Sequence, residues 1–178
     1  MSVFASGQKT AANPSIFQSG VPTNTLWQGY SFGAQAISDL VVGGPAFYVD
    51  RLGPDTTVQA TVTAAQKFAG VVMRSNASPM PFADSVLGWS ATIPLGTEAQ
   101  ILTRASVPVP VASANEAGSV PLVGSMLYAI DDGTFQTQTV AGAAPATSQA
   151  TNFRVKTVPA GWTAGAIVEV TNIQNVGA

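Results

Sequence analysis

Cysteine and histidine are both missing from these 178 residues, and charge is scarce: seven basic and nine acidic side chains make up 9% of the chain, for a net charge of −2. An average soluble protein carries about 25% charged residues. Without cysteine there is no disulfide framework, no thiolate nucleophile and no zinc ribbon or iron–sulfur site. Without histidine there is no serine triad of the usual kind, no HExxH metal site and no imidazole base. Seven scattered basic residues cannot build the cationic stripe that nucleic acid or an anionic membrane requires, so neither is expected as a partner.

Long hydrophobic runs are lacking too. The uncharged stretch from Thr10 to Ser38 is broken by Asn13, Pro14, Gln18, Pro22, Asn24 and Gln28. No window reaches the roughly 18 to 20 apolar residues needed to span a bilayer. Residues 1–9 do not follow a basic segment with an apolar one, so no signal peptide is read there. The expectation is a soluble protein made in a cytoplasm. Disorder is not expected, because 46% of the residues are hydrophobic and net charge is low.

What is present reads as β structure. Short runs rich in Val, Ile, Thr, Phe and Tyr occur at Val41-Val42, Ala46–Val49, Val58–Val62, Phe68–Met73, Ala99–Leu102, Val107–Val111, Met126–Ile130, Phe135–Thr139, Phe153–Val158 and Ile167–Val170. Gly, Pro, Asn and Asp separate them. About ten runs at this spacing predict an all-β fold, a β-sandwich or a jelly-roll or barrel. In Val107-Pro108-Val109-Pro110-Val111 the valines share one face and the prolines the other, which predicts an edge strand or an exposed extended segment, because proline cannot donate to a ladder. Asp132-Gly133 predicts a tight hairpin between its flanking runs. The one short helical candidate is a single turn at Ala112–Ala117.

Residues 1–35 differ from the rest: they are polar, rich in glycine and proline, and their apolar residues have no sustained period. They predict an extended N-terminal arm before a single β domain at 36–178. The arm either packs on its own domain or reaches a neighbouring subunit. Its aromatic and apolar groups Phe17, Leu26, Trp27, Tyr30 and Phe32 are the candidate interface residues.

Val42 to Asp50 aligns without gaps on Val123 to Asp131: both read Val-Gly-x-x-apolar-aromatic-x-branched-Asp. Two independent hairpins using common turn chemistry would give this pattern. So would a duplicated element whose copies occupy equivalent places.

Residues suited to catalysis are few. Six Asp and three Glu are the only acid–base carboxylates. Asp50, Asp55, Asp131 and Asp132 stand beside glycines and lack the alternating oxygen ligands of a calcium loop, so they read as turn residues. Trp27, Trp89 and Trp162 are isolated and read as core or interface anchors, with a sugar-stacking platform as the other reading. Asn76-Ala77-Ser78 fits the glycosylation sequon and reads as chance without a secretion signal. No phosphate-binding glycine loop is present. No enzyme, no cofactor and no metal site is expected.

The order of these pieces resembles a known family. Lys67 to Arg74, with its aromatic-x-Gly-Val-Val, is followed by Gly96 to Arg104 leading into Val107–Val111, then Gly118 through Tyr128, then Asp132-Gly133-Thr134-Phe135. Over residues 36–175 this is similar to the head-decoration or structural cement proteins of tailed bacteriophages. The resemblance implies a small β-sandwich or jelly-roll protein on the outside of the icosahedral head. It implies bridging of neighbouring copies of the major capsid protein, a virion location, a homo-oligomer (dimer or trimer) and no catalytic residues. Low charge suits it, since charged residues are depleted at interface cores. The alternative readings are another virion β module (tail tube, fibre or spike element) and a carbohydrate-binding module.

Overall fold

The computed structural model describes residues 30–50, 56–62, 66–73, 92–139, 144–145 and 147–173. Among them are thirteen strands and no helix. Five strands close into a barrel in the order β1 (Tyr30–Ala36), β4 (Thr57–Gln59), β3 (Pro45–Asp50), β5 (Phe68–Met73) and β7 (Glu98–Arg104), with β7 returning to β1. β2 (Leu40–Val41) and β6 (Thr92–Ile93) form a short pair at one end. A second sheet runs β8 (Ser106–Pro110), β13 (Ile167–Thr171), β12 (Ser148–Thr157), β10 (Met126–Ile130), β11 (Phe135–Gln138) and β9 (Ser113–Asn115). β8 and β9 are consecutive in sequence and pair with the two opposite ends of that sheet, so it curls on itself.

The all-β expectation holds, and the runs at Phe68–Met73 and Met126–Ile130 are strands with those bounds. Two elements differ from the sequence reading. Residues 30–35, assigned to the arm, are part of β1, a stave of the first barrel. Phe32, Ala34 and Ala36 face inward and Ser31, Gly33 and Gln35 outward, an alternation that two alanines and a glycine make weak in sequence. Residues 1–29, including Phe17, Leu26 and Trp27, lie outside the described residues. Ala112–Ala117 does not form a helical turn: Ser113–Asn115 is β9, paired in parallel with β11, and tertiary pairing overrides the weak local preference.

β8 ends the second sheet, where its prolines predict it. Val111 N–H donates to Ala166 O at 3.2 Å. By the two-residue period, Val107 and Val109 also turn their backbone groups toward β13, and Pro108 and Pro110 turn theirs outward. The edge thus lacks donors. The Asp132-Gly133 hairpin is also present. Gly133 has φ 88° and donates to Ile130 O at 3.0 Å. Asp132 Oδ1 accepts from Thr134 N and Oγ1 at 2.9 and 2.6 Å.

The two units are copies of one plan. Gly43 N–H donates to Val72 O and Gly124 N–H to Val155 O, both at 2.8 Å. Gly44 N–H donates to Val41 O as Ser125 N–H does to Leu122 O, at 2.9 and 3.0 Å. Gly96 N–H donates to Ala36 O as Gly165 N–H does to Val111 O, both at 2.7 Å, and Ile37→Val58 O matches Ala112→Phe135 O. The strand registers agree: Pro45 faces Val71, and Met126 faces Arg154. The β8–β9 run takes the place of β1, antiparallel to one neighbour and then parallel to the other. The Val42–Asp50 similarity is therefore the legible part of a duplicated element in equivalent places.

The first unit is filled by Ala34, Ala36, Leu40, Ala46, Val58, Val72, Ala99 and Ile101. The opposite face of the same strands presents Phe47, Val71 and Leu102 to a core shared with the second unit. This two-sided burial is why β5 reads as an unbroken apolar run and not an alternating one. Phe68 meets Phe47 and Phe135 edge-to-face, each at 6.3 Å between centroids, across the junction. Polar contacts complete it. Gln149 accepts from Phe68 N at 2.7 Å and donates to Gln66 O; Val62 N–H donates to Asp131 O at 2.9 Å. The second unit thus docks through its Asp131–Gly133 hairpin end against the side of the first.

Candidate partner-facing surface

Of the five candidate interface residues, the structure places two. Tyr30 opens β1 and is 62% exposed. Arg104 lies over its ring at 5.7 Å, and Thr103 Oγ1 donates to Tyr30 O at 3.1 Å. A cation over an exposed ring contributes about 0.5–1 kcal/mol and holds the phenol side chain in one direction. Phe32 is different. It is half-buried, stacked on Tyr48 at 5.7 Å with an 11° interplanar angle, and it packs on the core of the first unit. Tyr30 is available to a partner; Phe32 is largely committed to the fold.

The sequence reading missed other exposed apolar side chains. Val41 and Leu95 stand at the β2–β6 end of the first unit; Val120, Leu122 and Val123 stand in the turn before β10 of the second. Val41 and Leu122 each stand directly before the Val-Gly of the repeat that the sequence shows, the signal that could have located these two. Trp162 is half-buried, packs against the shared core, and donates its indole N–H to Ala166 O at 3.3 Å, as a structural anchor does. Trp27, Trp89, Asp55 and the Asn76-Ala77-Ser78 sequon lie outside the described residues.

A cleft of about 440 Å³ opens at the junction, lined by groups that include Lys67, Gly70, Thr103, Gln149, Thr151 and Asn152. It offers amides, hydroxyls and one ammonium group, and Thr151 Oγ1 is already used by Leu127 O at 2.7 Å. Three of the described carboxylates serve structure. Asp132 caps its hairpin, Asp39 Oδ1 holds Leu95 N at 2.9 Å, and Glu169 pairs with Lys156 at 2.9 Å. This arrangement can bind a surface.

The scan of protein families agrees with that chemistry. The family model described as structural cement protein (E217 gp24/Pam3 gp6) matches residues 6–172. No match was found among curated proteins.

Proposed function

The chain belongs to the structural cement proteins of phages, virion components and not enzymes, and on that premise we propose that it binds the outside of the assembled capsid and bridges neighbouring copies of the major capsid protein. The observation that carries this reading is the family match over residues 6–172, almost the whole chain. The low charge and the exposed apolar turns support it, because a partner-covered surface dispenses with charge.

The mechanism is mass action. A protein that binds the assembled shell and not its free subunits stabilises the shell by its binding free energy, summed over many copies. Tyr30, exposed and oriented, and the arm residues Phe17, Leu26 and Trp27 are the proposed contacts, with Phe32 supporting β1. Self-association as a dimer or trimer, synthesis in the host cytoplasm, and the absence of nucleic-acid and membrane partners belong to the same proposal.

Cryo-imaging of heads with and without this chain tests it. Extra density outside the shell and a raised head-disruption temperature are expected; heads unchanged in both respects refute it. The arm is tested by deleting residues 1–29, which leaves β1 intact. Deletion to residue 35 would remove a barrel stave and confound folding with binding. Full occupancy by the truncated chain would remove the arm residues from the contact set.

A further inference from the structure

The duplicated plan exposes a branched aliphatic at the same turn position twice, Val41 and Leu122, although the next residue differs, Val42 being buried and Val123 exposed. In the first unit Val41 O accepts Gly44 N–H at 2.9 Å, and the Val41 side chain is 50% exposed. Leu95, 62% exposed, sits at the same end, held by the bond from its N–H to Asp39 Oδ1. In the second unit Leu122 takes the place of Val41: its carbonyl accepts Ser125 N–H at 3.0 Å and its side chain is 46% exposed, beside Val123 at 72%. Single exposed aliphatics are ordinary. Two at equivalent turns of two otherwise diverged copies ask for a reason.

The interior supplies none. Matching core positions have changed size freely, Ala36 against Val111, Ala46 against Leu127 and Val58 against Phe135, and each stays buried. The exposed turn position is a branched aliphatic in both copies, though no core contact demands it. Both turns are stiff, since their backbones are tied by the repeated hydrogen bonds and left-handed Gly43 and Gly124. A stiff apolar surface docks at low entropic cost. The Leu122 turn lies at the end of its unit opposite the hairpin that docks on the first unit, so each unit carries its own exposed aliphatic, Val41 or Leu122.

We infer that these turns are paired docking surfaces, one per unit, each seating on the same uncharged apolar patch of two neighbouring copies of the shell protein. This rests on the cement reading above. A surface repeated within one chain fits a partner repeated in a lattice, and one polypeptide then bridges as a linked dimer would. Once one turn is seated the other binds intramolecularly, which strengthens binding by about 10²–10⁴-fold over a single contact.

The test titrates full-length chain onto heads lacking it, using wild type, Val41→Asp, Leu122→Asp and the double variant. Val41→Ser and Leu122→Ser remove the apolar group without adding charge, and circular dichroism melting checks the fold of each. Each single variant is expected to bind about 10²–10⁴-fold more weakly, to a similar degree, and the double variant not measurably. Folded variants that bind as wild type does, while wild type binds heads, overturn this inference and leave the cement reading standing. So does a large loss confined to one turn. Wild type failing to bind heads overturns the cement reading and the inference with it.

Discussion

Gly43 and Gly124 occupy one structural position twice: both have left-handed backbone, φ 81° and 88°, and both donate to a valine carbonyl, Val72 and Val155, at 2.8 Å. These two turns set the start of β3 and β10 and aim the side chains that precede them. Their left-handed backbone disfavours most residues, and at Gly124 it does so without crowding.

Gly124→Ala isolates that cost. A Cβ at Gly124 would meet nothing within 4 Å, so the penalty is the left-handed backbone alone, about 1–2 kcal/mol. Urea denaturation should show a lowered midpoint with unchanged slope. An unchanged midpoint would mean that the turn relaxes to another conformation.

Gly70→Ala should cost more, for a different reason. A Cβ there would collide with Leu102 O and lie 2.8 Å from Ile101 Cγ2, pushing β5 off β7 where both faces are buried. Overpacking of this kind costs about 1–3 kcal/mol or more, added to the backbone term. The expected order of stability is wild type, then Gly124→Ala, then Gly70→Ala.

Asn172→Ala probes the junction. Asn172 Oδ1 accepts from Ala105 N at 2.8 Å and its Nδ2 donates to Thr103 O at 2.7 Å, clamping the single crossing between the units. Removing it strands a buried Ala105 N–H and should cost about 1–3 kcal/mol. A calorimetric melt should shift down. A shift of less than half a degree would show that water or a neighbour replaces the amide.

Thr137 and Glu116 form a buried polar pair in the second unit. Thr137 Oγ1 donates to Glu116 Oε2 at 3.1 Å, and Glu116 Oε1 has no partner. Thr137→Val leaves both carboxylate oxygens without a donor and should destabilise by about 1–3 kcal/mol. Glu116→Gln removes the buried charge and should be neutral or stabilising. The opposite ranking in a chemical melt would show that the carboxylate is stabilised by more than this bond.

What the sequence determined by itself was local. Alternation and turn chemistry act between neighbours, so β5, β10, the Asp132-Gly133 hairpin and the proline-bearing edge at Val107–Val111 were legible, as was the all-β class. The turn repeat at Val42 and Val123 was legible too, because left-handed backbone leaves a glycine behind. Only the tertiary structure decided the rest. β1 closes a barrel by pairing Gln35 with both Thr57 and Glu98, residues far away in the chain, and β6 and β9 are too short to show a period. The full duplication was hidden because backbone hydrogen bonds define it, and these constrain side chains little beyond keeping the inward ones apolar. That Leu40 is buried while Val41 is exposed follows from which face the β2–β6 pair turns to the core. Composition cannot tell those two residues apart; only packing separates the one that holds the fold from the one left for a partner.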